Sequence, residues 1–112
     1  MANSFNVELS MREAPPEAQA RAIDALTEPA RAVGLRLTKR GAGELGYKPR
    51  VQWPFAVMLY HNLSGVRMTV KFQPAENAGT RVTISGKIAS GNHAVASDPE
   101  HWSEALGASS SA

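Results

Sequence analysis

Basic residues are the side chains of this chain whose types and spacing suggest a chemical role. Residues 36 to 90 hold nine Lys and Arg against Glu44 and Glu76, a net charge of +7. Residues 1 to 35 carry −2, and residues 91 to 112 carry −3. Guanidinium and ammonium groups bind phosphates and carboxylates. This segregation of charge therefore indicates an anionic partner, and it indicates no particular reaction.

Several of these cations are predicted to lie on one face of a β-sheet, because they alternate with apolar residues. If the loop of the hairpin that follows Gly65 is symmetric, Lys71 faces Arg81. Like charges opposite each other destabilise a strand pair by about 0.2–1 kcal/mol, and an anion would relieve the repulsion. The alternative is a solvated face whose charges prevent aggregation. The candidate anion-binding residues are Arg36, Arg40, Arg67, Lys71, Arg81 and Lys87.

Large apolar side chains form a second candidate site around the run from residue 53 to residue 60, which Pro54 interrupts. This run fits a buried strand, a short helix or an apolar loop, since periodicity does not separate these for so short a segment. Aromatic and Met side chains line ligand pockets and protein interfaces, and ordinary core packing is the alternative. The candidate ligand or partner contacts are Tyr47, Trp53, Phe55, Met58 and Tyr60.

Other chemistry is predicted to be absent. The chain has no cysteine, which excludes disulfides, thiolate metal sites and a cysteine nucleophile. His61, His93 and His101 lack the spacing of zinc signatures, and no nucleophile and base can be paired from the sequence. The glycines of residues 41 to 46 match G-x-G-x-x-G without the helix that a dinucleotide site needs. We therefore expect a protein that is not an enzyme and has no metal or cofactor.

The elements that position the candidate residues begin with a strand from Ser4 to Met11, whose odd positions are apolar. Pro15 and Pro16 then favour a helix start, and an apolar stripe continues to Val33. Because Pro29 removes a helical hydrogen bond, we expect a kink or break near Thr27.

Strand 2 contains residues 35 to 38, and a turn at residues 41 to 43 leads into strand 3, which Pro49 and Pro54 interrupt. The hairpin of residues 66 to 72 and 81 to 88 has its even positions inward. Residues 91 to 96 are predicted to be a loop. A capping box of Ser97 and Glu100 then begins a short helix that Gly107 closes.

The pattern predicts one α+β domain over residues 1 to 107, with a disordered tail over residues 108 to 112. Its mostly antiparallel sheet of four to five strands, in the order β-α-β-β-β-β-α, has a long helix on one face and a short C-terminal helix. No secretory signal is seen, and no apolar run approaches the ~20 residues of a membrane span, so a cytoplasmic location is expected.

The leading functional hypothesis is a binding module for an apolar small molecule or a protein partner, with self-association as one form, acting through residues 53 to 60. The alternative is a basic sheet face that binds nucleic acid or another anionic surface.

Overall fold

Alternating apolar and polar side chains form strands that join into one sheet. The computed structural model describes residues 2–49, 66–76 and 78–110, and only the backbone of residues 2, 109 and 110. The main strands are β1 (Ala2–Met11), β2 (Leu35–Gly41), β3 (Glu44–Pro49), β4 (Arg67–Pro74) and β5 (Thr80–Ala89). Their order in the sheet is β2-β3-β4-β5-β1, and every pairing between described strands is antiparallel. The predicted α+β class is confirmed.

The first helical region consists of two helices, α1 (Pro15–Ala25) and α2 (Thr27–Ala32), where the sequence predicted one long helix. The predicted break is present and falls at Leu26. Pro29 has no N–H to donate to the carbonyl of Ala25, so the helix cannot continue unbroken. The Thr27 hydroxyl donates to the Ile23 carbonyl at 2.9 Å and satisfies one terminal acceptor.

Two short helices follow the sheet, α3 (Ser90–Ala96) and α4 (Pro99–Leu106). The prediction of a loop over residues 91 to 96 is wrong. The predicted capping box is also wrong, because the α4 cap is Asp98, whose carboxylate accepts from the Glu100 N–H at 3.0 Å. Ser97 instead ends α3, and its hydroxyl donates to the His93 carbonyl at 2.7 Å.

The C-terminal segment that composition predicted to be disordered contributes a short strand to the sheet. This strand, β6 (Ser109–Ser110), pairs antiparallel with Leu9 and Ser10 of β1. It covers part of the free side of β1, so that β2 and β6 are the outermost strands of the described sheet.

The described helices lie on one face of the sheet, and the core lies between the two layers. Helix α1 packs against β4, α2 against β2, and α4 against β1. The predicted inward parity of β1, β4 and β5 is confirmed. Trp102 of α4 is fully buried, and its indole N–H donates to the Ala96 carbonyl at 2.8 Å. The buried apolar strand residues are Phe5, Val7, Leu9, Met11, Leu35, Leu45, Tyr47, Met68, Val70, Phe72, Val82, Ile84 and Ile88. None of the described helices is long and apolar enough to cross a membrane.

Candidate anion-binding face

The face of the sheet that points away from the helices, here called the outer face, is mostly polar in its described part. It is formed by the residues that alternate with the core positions of each strand. Apart from Gly41, Gly46 and Ala89, its described side chains are Arg, Lys, Ser, Thr, Asn, Gln and Glu. Six anion-binding residues were predicted, and four of them belong to β4 and β5. These four are exposed on the outer face: Arg67, Lys71, Arg81 and Lys87.

The predicted repulsive pair of Lys71 and Arg81 is wrong. Pro74 pairs with Thr80, and this register sets Lys71 opposite Thr83 and Arg81 opposite Gln73. On its other side, Lys71 faces Glu44 of β3. The hairpin loop therefore differs by two residues from the symmetric loop that the sequence suggested. Lys71 gains an acidic neighbour instead of a basic one.

The same register places like charges at the other end of the hairpin, where Arg67 lies opposite Lys87. Arg36 of β2 lies opposite Lys48 of β3. Continuing the pairing of β3 with β4 by one residue beyond Tyr47 and Met68 sets Lys48 opposite Arg67. Arg36, Lys48, Arg67 and Lys87 thus form one line across four adjacent strands, here called the basic row. All four side chains are exposed.

Among the described residues, the basic row has no acidic partner. All ten Asp and Glu residues of the chain lie in the described ranges, so an ion pair between one of them and a row residue would be visible. Within those ranges, the ion pairs are Arg21 with Glu13 and Arg31 with Glu28, both away from the row. The row ends at Ser4 of β1, which lies opposite Lys87. Its four positive charges are therefore balanced by no carboxylate side chain of the protein itself.

Arg40 is the one predicted anion-binding residue that does not belong to the outer face. The pairing of β2 with β3 shifts register between Leu37 and Lys39, which is a β-bulge. Beyond the bulge, Lys39 lies opposite Gly46 on the outer face, and Arg40 lies opposite the buried Leu45. The extra residue reverses the alternation, so Arg40 lies on the helix side of the sheet. Its placement on the outer face was wrong.

The large apolar and aromatic candidate residues divide into one that is described and four that are not. Trp53, Phe55, Met58 and Tyr60 lie outside the described residues. Tyr47 is buried on the helix side of β3, with 2% of its surface exposed, and its hydroxyl has no hydrogen-bond partner in the described structure. Burial raises the pKa of Tyr47 to about 12, and the charge of Arg40 opposes part of this rise.

The described histidines have structural hydrogen bonds. The Nε2 of His93 donates to the Ser4 carbonyl at 2.9 Å, and the Nε2 of His101 donates to the Pro29 carbonyl at 3.0 Å. Each bond joins a helix to a distant part of the chain. In the part of the chain that the structure describes, no three His, Asp or Glu residues are grouped so that they could hold a metal ion.

Lys48 is the site residue that the sequence analysis missed. Its alternation with Tyr47 indicated an outward side chain, but the sequence gives no register between strands that a long segment separates. Lys48 joins the row only because β3 lies between β2 and β4.

The chain was also compared with known proteins. No family model, no curated protein and no solved structure matches it. The arrangement of the described residues is therefore the basis for assigning a function.

Proposed function

We propose that the protein binds the phosphate backbone of duplex nucleic acid through the outer face, with the basic row as the principal contact. The observation that carries this proposal is the row itself, in which four exposed cations on neighbouring strands form no ion pair with any described carboxylate. Each like-charged neighbour costs up to about 1 kcal/mol of strand pairing, and bound phosphates would offset that cost. The expected cytoplasmic location would give access to such a partner.

The dimensions of the row suit a polyanion. Strands in a sheet are about 4.8 Å apart, so four adjacent strands span roughly 14 Å. A duplex carries one charge per ~1.7 Å of its axis, which gives about eight phosphates over that length. Long Arg and Lys side chains can therefore each reach a phosphate. Thr69 and Ser85, in the next line of the outer face, supply hydroxyl groups of the kind that donate to phosphate oxygens.

The composition of the outer face argues against other anionic partners. Single strands are bound by stacking bases on aromatic side chains, and the described outer face has none. Membrane surfaces are bound by apolar side chains in addition to charge. Among the described residues, the large apolar side chain that is exposed is Val95, which belongs to α3. Duplex binding needs neither feature and gives no sequence preference.

The salt dependence of binding to a labelled duplex tests the proposal. If the four cations of the row each neutralise one phosphate, log K should fall against log salt concentration with a slope of about −3.6. Arg67→Gln should reduce the magnitude of this slope by about 0.9, to about −2.7. Arg40→Gln removes the same charge from the helix side of the sheet and should leave the slope unchanged.

Three results would overturn the proposal. One is a Kd weaker than about 1 mM at about 50 mM salt, where non-specific binders are much tighter. Another is an equal loss of slope for Arg67→Gln and Arg40→Gln, which would indicate a general effect of net charge. The third is binding to vesicles of anionic lipid without binding to the duplex.

A second candidate function is the binding of an apolar small molecule or a protein partner by Tyr47 together with the run from residue 53 to residue 60. The observation in its favour is the Tyr47 hydroxyl, which is buried and has no partner in the part of the chain that the structure describes. A ligand with a polar group could supply the missing hydrogen bond. Light scattering tests self-association, and a dimer that Trp53→Ser abolishes would support this candidate. A monomer at all concentrations would exclude self-association.

A further inference from the structure

A groove lies at the edge of the sheet, between β2 and the first two helices, and shares one residue, Arg36, with the basic row. It has a volume of about 460 Å³. The aliphatic part of its lining is Ile23, Leu35 and Leu37, of which Leu35 is buried and the other two are half-buried. Asp24 and Thr27 are the polar helix residues in the lining, and both are exposed. The groove therefore has an apolar floor and an open polar rim.

Three arginines complete the lining: Arg31 from α2 and Arg36 and Arg40 from β2. With Asp24 as the single acid, the groove carries a net positive charge. Arg31 has a distant contact of 3.9 Å with Glu28, and both of these side chains are exposed. Arg36 and Arg40 form no ion pair with any described carboxylate. Their guanidinium groups are thus available to an external anion.

The β-bulge in β2 is what places Arg40 at this groove. Regular alternation after Leu37 would put Arg40 on the outer face, whereas the bulge sets it opposite Leu45 on the helix side. The effect of its charge on the buried Tyr47 hydroxyl is a second indication of the same placement. Bulges commonly redirect a side chain at the margin of a sheet, and here the redirected side chain is a cation beside an apolar surface.

We propose that this groove binds a small amphipathic anion, meaning a molecule with one carboxylate and an aliphatic body. The planar guanidinium of Arg40 matches a carboxylate through two parallel hydrogen bonds, and Ile23, Leu35 and Leu37 cover the aliphatic part. The volume lies in the range of ligand sites, about 300–1,000 Å³. A saturated chain of about twelve heavy atoms needs roughly 360 Å³, taking ~30 Å³ per atom as for water.

Amide chemical shifts of the ¹⁵N-labelled protein, titrated with decanoate below its micelle concentration, test the proposal. The expected result is saturable shifts at Ile23, Thr27, Leu37 and Arg40, with little change at Thr69 and Thr83 on the outer face. Decanol, which has a chain of the same length and no charge, should bind at least about fivefold more weakly, since it lacks the charge-assisted hydrogen bonds.

Arg40→Gln and Arg67→Gln form a matched pair, because each removes one exposed arginine from a strand. Arg40→Gln should weaken decanoate binding by about 5- to 10-fold. Arg40→Lys should weaken it by a smaller factor, and Arg67→Gln should leave it nearly unchanged. For duplex binding we expect the opposite order, with a larger effect of Arg67→Gln than of Arg40→Gln. Either proposal can therefore be refuted while the other stands.

The proposal would be overturned by the absence of saturable shifts, by shifts centred on the outer face, by equal binding of decanol, or by equal effects of the two variants. The amide spectrum of each variant shows directly whether it is folded.

Discussion

At the scale of single residues, Tyr47 combines burial with a hydroxyl that has no hydrogen-bond partner among the described residues. Leaving a hydroxyl buried without a partner costs about 1–3 kcal/mol, so Tyr47→Phe is expected to raise the free energy of unfolding by about 1 kcal/mol at pH 8. Urea unfolding of both proteins measures the difference. A loss of stability would show that the hydroxyl has a partner.

The raised pKa of Tyr47 also predicts a pH dependence. Its pKa is about 12 in the folded protein, against an ordinary value of 10.0. Above pH 10 the unfolded chain ionises first, so the stability due to neutral Tyr47 is lost as pH rises from 10 to 12. Between pH 8 and about pH 11, the free energy of unfolding of the wild type should fall by roughly 1.4 kcal/mol more than that of Tyr47→Phe. If the free energy of unfolding of the two proteins changes equally with pH, ionisation of Tyr47 is not the cause of the pH dependence.

Gln19 of α1 fixes the turn between β2 and β3. Its side-chain amide donates to the Gly41 carbonyl at 2.7 Å, and its side-chain oxygen accepts from the Gly43 N–H at 2.9 Å. Removing both bonds in Gln19→Ala should lower the free energy of unfolding by about 1–2 kcal/mol. Gln73→Ala, at an exposed position of β4, is the control and should change stability by no more than about 0.5 kcal/mol. Equal effects would refute an anchoring role.

At the scale of elements, β4 and β5 approach each other closely at Gly86. This glycine has φ +156°, and a Cβ there would lie 2.9 Å from the Met68 Cα and closer still to the Arg67 carbonyl oxygen. Both obstacles are backbone atoms, which cannot move without disturbing the strand pair. Gly86 also lies between Ser85 and Lys87 and so helps to fix the position of the basic row.

Gly86→Ala is therefore expected to lower the free energy of unfolding by about 2–4 kcal/mol, because it combines backbone strain with overpacking. Gly91→Ala is the matched control, since a Cβ at this position of α3 meets nothing within 4 Å. The control should be neutral or stabilising by up to about 1 kcal/mol. Thermal or urea unfolding of both variants checks the contrast, and a tolerated Gly86→Ala would refute the close approach.

At the scale of the whole molecule, the sheet separates two surfaces of different character. The helix side carries Arg40 and most of the edge groove, and the other side carries the basic row, with Arg36 at the margin between the two. The net charge is only +2, so the positive field is local and arises from the arrangement of the strands.

This arrangement predicts a salt effect on stability. Lys87→Gln removes the like charge opposite Arg67 and should raise the free energy of unfolding by about 0.2–1 kcal/mol at low salt. The gain should shrink as salt screens the repulsion in the wild type, with a Debye length of ~3 Å at 1 M. Lys71→Gln is the contrasting variant, because Lys71 lies opposite Glu44, and it should show no gain. A stability difference that does not depend on salt would contradict the electrostatic origin.

The sequence by itself determined the α+β class, the direction in which β1, β4 and β5 present their side chains, and the break before Pro29. These features follow from local chemistry, namely the period of two in a strand and the missing N–H of proline. The exposure of Arg67, Lys71, Arg81 and Lys87 could be predicted for the same reason.

Only the tertiary structure decided which cations lie side by side. A period of two fixes the face of each residue but not the register between strands, and a register different from the symmetric one moved the like-charge pair from Lys71 and Arg81 to Arg67 and Lys87. The bulge in β2 places Arg40 on the helix side of the sheet. Register and bulges depend on the hydrogen bonds between strands, and β3 pairs with β4 across a long intervening segment, so the alternation within each strand encodes neither the basic row nor the edge groove.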